Sequence, residues 1–387
     1  MWFTPSMDAL TANYKSTTAI ALDVVNDPEN LCAAISQTDI VISLIPYVHH
    51  ALVVSAAIKY NKPVVTTSYI SPALWALDDQ AKAAGITVLN EIGLDPGIDH
   101  FTPSPGVLED VSLPFSTPHN SNRDNKIATV DGKNLIAAAS PQHIFPGFNL
   151  VGYPNRDSVG FRDFYNIPEA HTVFRGTLRY AGFPEIIRAL VAIRYFSQER
   201  VAVLERSGTT WVQLTSSLLG LSESSSPNEV ENAVRQKIEA FVTDKDDVDR
   251  ALSGLRWIGL FDPTPVGGYG TPLDTLCAVL ETRMAYQPRE RDMIVLQHIF
   301  DIKHADGLVE KRSSTLVEYG EPLGPGYRSS MAKLVGLPCA VGVLAVLEGR
   351  IPTTGMVAPW SSAEIASLLR GELKEKFGIE LKERVMT

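Results

Sequence analysis

Apolar residues near the start of the chain fall into short β-branched runs. They occupy residues 40–46 (IVISLIP), 63–67 (PVVTT) and 86–89 (ITVL). Runs of this length, bounded by turn formers, predict buried strands. Between them, His50–Asn61 and Ser71–Ala84 carry helical spacing. Ser71 suits an N-cap, Pro72 the first helical position, and Gly85 the C-terminal stop. Strand–helix–strand–helix–strand at this spacing predicts a parallel sheet. An earlier apolar run, TAIAL at 18–22, reads as one more strand, followed by Asp23-Val24.

The strand ends carry the first functional signal. They read Ile45-Pro46-Tyr47, Thr66-Thr67-Ser68-Tyr69 and Gly93-Leu94-Asp95-Pro96-Gly97. In open parallel sheets ligands bind beyond the carboxyl ends of the strands. Any one of these ends reads as an ordinary turn. Three together, bearing hydroxyls and a carboxylate, predict a binding crevice.

Beyond His100 the pattern changes. Residues 101–125 are rich in Pro, Ser and Asn and lack a period. From about 184 to 289 the pattern is helical: FPEIIRALVAIRYF, NEVENAVRQKIEAFV behind Ser226-Pro227, VDRALSGLRWIGLF and PLDTLCAVLETRMAY. Their apolar stripes, Trp257 and Met284 included, read as core. QPRERD at 287–292 caps or solvates a loop. MIVLQHIFDIKHADGLVEKRSSTLVEYG reads as a hairpin turning at Ala305-Asp306-Gly307. Residues 328–347 predict a helix, kinked at Pro338, that rejoins the first unit. The expected organisation is α/β: an incomplete Rossmann-like parallel sheet domain (1–100 and 328–387), an α/β substrate domain (101–183 and 290–327) and a mainly helical insertion (184–289).

A chain of 387 residues is long for a single domain, and its net charge of −10 disfavours non-specific nucleic-acid binding. Cys32, Cys277 and Cys339 are far apart, so neither a disulfide framework nor a structural zinc site is expected. His49 and His50 are adjacent and cannot share one helix face, so they read as a helix start and no metal is expected. Residues 1–20 lack the apolar segment of a signal peptide, and the apolar run 339–347 is too short to span a bilayer. A soluble, cytoplasmic protein is the expectation.

Longer motifs then carry a resemblance: DIVISLIPY (39–47), VVTTSYISPAL (64–74), GITVLNEIGLDPGIDH (85–100), YPNRDS (153–158), RGTLRYAGFPE (175–185), LDTLCAVLE (273–281), ERDMIVLQH (290–298) and SSMAKLVGLPCAVGV (329–343). In this order they resemble the fungal saccharopine reductases, the NADP-linked, glutamate-forming saccharopine dehydrogenases of lysine biosynthesis. The resemblance implies NADPH-dependent reductive condensation of L-glutamate with 2-aminoadipate 6-semialdehyde to saccharopine. It implies Asp95 and Tyr69 as catalytic residues. On the cofactor side it implies Asp23, Val24, Ile45, Thr67, Ser68, Leu94, Asp95 and Pro96, with Asp23-Val24 at the adenine end. On the substrate side it implies Ser68, Tyr69, Asp95, Arg156, Thr177, Leu178 and Arg179. Two arginines suit a three-carboxylate ligand because guanidinium binds carboxylate in a planar, bidentate way. Asp99 and His100 read instead as a helix cap and first turn. A homodimer is a further expectation.

Two departures from the family pattern bear on the cofactor, NADP(H). The first glycine of the chain is Gly85, so no G-x-G-x-x-G precedes it. The segment 101–125 differs from the family's continuation. Losing two backbone hydrogen bonds to charged oxygens, at about 1.5–3 kcal/mol each, weakens cofactor binding roughly a hundredfold or more. A binding protein that keeps the saccharopine or glutamate site without turnover is therefore a second reading.

Overall fold

The computed structural model describes residues 16–100, 119–155 and 157–386. Its first unit starts with helix α1 (Pro28–Ser36), strand β1 (Val41–Ser43), helix α2 (His50–Lys59) and strand β2 (Val64–Thr66). Two short helices follow, α3 (Pro72–Trp75) and α4 (Asp78–Ala83), and then strand β3 (Thr87–Leu89). The strands are parallel, with Val41 opposite Val64 and Val65 opposite Leu89. Ser71 caps α3 by accepting from Leu74 N, and Gly85 takes φ +68° after α4. The single helix expected over Ser71–Ala84 is divided at Ala76–Leu77, where Leu77 N bonds Leu74 O, three residues back.

TAIAL does not form a strand. Residues 18–22 join no ladder, and the Asp23 carboxylate accepts from Val25 N and Asn26 N to close a turn. A run of apolar residues becomes a strand only where a neighbouring strand takes its hydrogen bonds.

The second unit is built on antiparallel pairs. Strands β4 (His119–Arg123) and β5 (Lys126–Val130) form a hairpin. Strands β6 (Ser140–Gln142) and β7 (Leu150–Pro154) precede helix α5 (Phe161–Phe164), and strand β8 (Gly176–Tyr180) returns to pair with β7. The helical insertion holds α6 (Phe183–Ala192), α7 (Trp211–Leu219), α8 (Pro227–Glu239), α9 (Lys245–Ile258) and α10 (Pro272–Arg283). Its core includes Leu190, Leu214, Val234, Leu252 and Leu255. Ser226 and Glu229 form a capping box at α8, and Asp244 caps α9.

Trp257 and Met284 lie outside that core, 52% and 66% exposed. On α9 the buried stripe is Val248, Ala251, Leu252, Leu255 and Ile258, and Trp257 falls off it. Met284 follows the last residue of α10.

Strands β9 (Met293–Lys303) and β10 (Val309–Tyr319) make the expected hairpin, with Val309 opposite Lys303. Helix α11 (Ser330–Leu347) then returns to the parallel sheet and contains Pro338. It is longer than the apolar run 339–347. It is the one helix among the described residues apolar and long enough to cross a membrane, and it buries Leu334, Cys339, Val341 and Ala345 in the core. Strand β11 (Gly355–Val357) pairs parallel with β3 and completes a four-stranded sheet of order β1-β2-β3-β11. Helix α12 (Ala363–Phe377) packs beside α11 and ends at Gly378, φ +67°.

The final strand, β12 (Lys382–Met386), departs from the sequence reading, which placed all of 328–387 with the first unit. It pairs with β10, Lys382 opposite Thr315 and Met386 opposite Lys311. That pairing takes up the edge of β10 that β9 leaves open.

The acid of QPRERD acts as a helix cap. Asp292 accepts from Ser330 N at 2.7 Å, Ser330 Oγ at 2.7 Å and Met331 N at 2.9 Å. It thereby satisfies the orphan donors at the start of α11. Asp292→Ala is expected to cost about 1–2 kcal/mol, read as a lower urea midpoint at unchanged slope.

Candidate functional site

Strand β3 hands over to a tight loop, Asn90 to His100. Glu91 stands in a left-handed conformation, φ +60°, and the Asp95–Pro96 peptide is cis. Gly97, at φ +153°, approaches the backbone of Gly93 so closely that no Cβ fits. The loop ends in a 3₁₀ turn, Ile98–His100, and Asp99 Oδ1 accepts from Gly97 N at 2.7 Å. This geometry turns Glu91, Asp99 and His100 into the interior, and Asp95 into both the interior and a cavity.

The cavity holds about 330 Å³, within the range of small-ligand sites. The ends of β2 and β3 contribute Thr67, Gly93, Leu94 and Asp95. Strand β8 contributes Leu178, Arg179 and Tyr180, while β9 and α11 supply Ile294, Met331 and Val335. Of the residues expected at a site, Thr67, Leu94, Asp95, Leu178 and Arg179 therefore line one cavity. Arg179 lies over the Phe183 ring and donates from Nη1 to Leu178 O at 2.9 Å. Thr177 is buried on the β7 side. Asp23 and Val24 lie away from the cavity wall, Asp23 closing its own turn, and Ile45 packs with the first unit's core. Arg156 lies outside the described residues.

Ser68 is held by a histidine. His50, the first residue of α2, is 1% exposed; its Nδ1 meets Ser43 Oγ at 2.7 Å and its Nε2 meets Ser68 Oγ at 2.9 Å. Burial lowers the His50 pKa, so a neutral ring links the end of β1 to the end of β2.

Beneath the cavity wall lies a cluster that reading along the chain did not assemble. Arg175, 2% exposed, donates from Nη2 to Tyr69 Oη at 2.6 Å and to Asp95 Oδ1 at 2.5 Å. Asp99 Oδ2 is 3.3 Å from the same nitrogen. Tyr69 also donates its hydroxyl proton to Asp95 Oδ1. Glu91 accepts from Trp360 Nε1 at 2.7 Å and from Ile70 N at 3.2 Å. His100 Nδ1 meets Tyr165 Oη at 2.6 Å and its ring stacks on Phe161. His100 Nε2 is 3.2 Å from Glu91 Oε2, but not aligned as a hydrogen bond. Asp99 and His100 are thus buried cluster members, which corrects their assignment to an ordinary helix start: the carboxylate follows the buried cation.

One fixed cation faces three carboxyl groups, and burial decides their charges. Burial pushes Glu91 up to about 7, against the opposing bonds from Trp360 and Ile70. Burial, and then the neighbouring Asp95, push Asp99 well above the carboxylate range. Burial also raises Asp95, with Arg175 opposing. It holds Tyr69 well above its ordinary value as a neutral phenol, and His100 well below its own as a neutral imidazole. Burial works against the charge of Arg175, but Tyr69, Asp95 and Asp99 outweigh it.

Asp95 Oδ2, like His100 Nε2, is left over in this otherwise well-bonded cluster. It is buried and has no hydrogen-bond partner among the described residues. An unsatisfied carboxylate oxygen is costly unless a ligand completes it. Chemically the wall offers one acceptor held rigidly from behind, one guanidinium and an apolar floor. That donor set fits a cationic nitrogen flanked by carboxylates, beside a flat apolar ring such as a nicotinamide.

Comparison with known proteins gives the same direction. Residues 4–89 match the saccharopine dehydrogenase NADP binding domain and residues 106–379 the saccharopine dehydrogenase C-terminal domain. The chain is 42% identical over 418 residues to the saccharopine dehydrogenase [NADP(+), L-glutamate-forming] of Pyricularia oryzae, covering 98% of this chain and 92% of that protein. It is 42% identical over 407 residues to the same-named protein of Saccharomyces cerevisiae, covering 95% and 89%. The fold superposes on the apo saccharopine dehydrogenase (L-Glu forming) structure from Saccharomyces cerevisiae with a TM-score of 0.86, at 40% identity, covering 98% of this chain and 91% of that one.

Proposed function

Because the chain belongs to the saccharopine dehydrogenase family, we propose that it condenses L-glutamate with 2-aminoadipate 6-semialdehyde and reduces the imine to saccharopine. NADPH, when bound, supplies the hydride. The observation that supports this reading most directly is Asp95 Oδ2, a buried acceptor left unsatisfied on the cavity wall.

Each residue then has a task. Asp95 accepts from the N–H of the protonated imine and stabilises its positive charge until the carbon is reduced. Tyr69 and Arg175 each direct a donor at Oδ1 of Asp95, so Oδ2 is the oxygen left for substrate. Tyr69, kept as a phenol, acts as donor and not as base. Arg179 takes a substrate carboxylate, and Arg156 takes a second. Ser68 orients substrate with its hydroxyl, itself fixed by His50. Thr177 and Leu178 shape the substrate side. Ile45, Thr67, Leu94 and Pro96 hold the nicotinamide side, and Asp23-Val24 the adenine end.

Purified chain is expected to oxidise NADPH only when glutamate and the semialdehyde are both present, followed by absorbance against controls lacking either. Calorimetry that finds saccharopine or glutamate binding but neither NADPH binding nor turnover would replace this reading with that of a binding protein.

A further inference from the structure

We infer that Arg175 is a positioning residue for this reaction, a clamp that fixes Tyr69 and Asp95 against each other and so holds the Asp95 carboxyl in place at the cavity wall. The inference rests on the function proposed above.

The geometry is specific. Three elements converge on one guanidinium nitrogen: Tyr69 from beyond β2, Asp95 from the loop after β3, and Arg175 from the residue before β8. Arg175 thus reaches from the second unit to two residues of the first, of which Asp95 lines the cavity. Its plane is set by the Phe161 ring, 4.5 Å from the guanidinium carbon to the ring centroid. Its backbone carbonyl accepts from Asn155 N at 2.9 Å, fixing the base of the side chain to the end of β7. A cation needed only to neutralise buried charge could pair with Asp99 alone. Here the shorter contacts go to Tyr69 and Asp95, and Asp99 is the longer one at 3.3 Å. Arginine suits this task where lysine does not, because the planar guanidinium held over Phe161 fixes the directions of the Nη2 protons, whereas an ammonium turns about its stem.

The strand also explains the placement. Arg175, Thr177 and Arg179 alternate at period two in RGTLRY. The same short segment therefore carries the clamp at one end and the cavity-lining Arg179 at the other.

The charged and titratable groups around the pair are Asp99, Glu91, His100, Tyr165 and His298, which comes from β9. Loosening the clamp lets the cation move away from Asp95 while leaving these in place. The pH dependence of turnover therefore moves upward, since a carboxyl whose cation stands further off holds its proton to higher pH.

The test is steady-state NADPH oxidation by the full chain with glutamate and the semialdehyde, across pH. Arg175→Lys is expected to lower kcat/KM at least about tenfold. The profile should shift to higher pH by about half a unit or more. Adding Tyr69→Phe should cost at most about twofold beyond the slower single variant, because both changes loosen one geometry. A merely structural role would leave the profile in place and make the two losses multiply, and either result overturns the inference. Should Arg175→Lys fail to fold, Phe161→Leu removes the supporting ring without touching the charge. It should reproduce the loss and the upward shift, and an unchanged profile overturns the clamp. A parent chain without turnover defeats the proposed function instead. Saccharopine calorimetry then decides the clamp: affinity about tenfold weaker in Phe161→Leu supports it, and equal affinity overturns it.

Discussion

A chain carrying Asp95→Asn is expected to oxidise NADPH, with both co-substrates present, about 10²–10⁴-fold more slowly than its parent. The substitution is nearly isosteric, so the interest lies in which way the amide turns. Two donors, Arg175 Nη2 and the Tyr69 hydroxyl, meet the oxygen on the inner side. They fix the amide carbonyl there and leave the NH₂ group in the place of Oδ2. An acceptor for a cationic nitrogen has then become a donor that repels it. Arg175 keeps Asp99 and Tyr69 as partners, so the fold should survive, and a thermal melt run beside the assay separates lost chemistry from lost structure. A variant within about threefold of the parent would remove Asp95 from its assigned role.

Raising the pH from about 4.5 to about 7 should cost the folded chain stability through one side chain, Glu91. Its ordinary value is 4.5 and burial carries it to about 7. The stabilising state is the protonated one. It is fully present below the unfolded value and is lost as the pH rises through the folded one. Across that window the native chain binds a proton that the unfolded chain has released, so stability falls by about 3 kcal/mol. Glu91→Gln cannot ionise, and the difference between the two proteins isolates the group. Urea unfolding at a series of pH values should show the parent losing ground to the variant by that amount between the two limits. Parallel curves would mean that Glu91 keeps an ordinary carboxylate value.

Much of this fold is local and therefore legible in the chain. Ser71 before Pro72, Ser226 before Pro227, and Gly85 after its helix are signals spread over four or five residues, and each marks a boundary. The 305–307 turn lies between two runs brought close enough by it to pair with each other. The strand tips at Thr67, Leu94 and Asp95 were legible because a topological rule says where ligands sit. Arg175 was not, since it is 80 residues from Asp95 and 106 from Tyr69. A faint signal did exist. Glu91, Asp95 and Asp99 fall within nine residues of otherwise buried chain, and such a set needs a cation from elsewhere. Reading Asp99 as a cap and leaving Glu91 without a role missed that demand. TAIAL and β12 failed for a related reason: ladder partners are supplied by the fold and not by the run itself.

The excursion of β12 has a mechanical side. The chain leaves the parallel sheet after His100, comes back with α11, and crosses once more to lay its last strand on β10. Two bodies joined by one thread can swing freely. Two bodies laced together at separate points have fewer relative motions open to them. The strand that closes the chain therefore tethers the body carrying β9 and β10 to the one carrying α11 and α12.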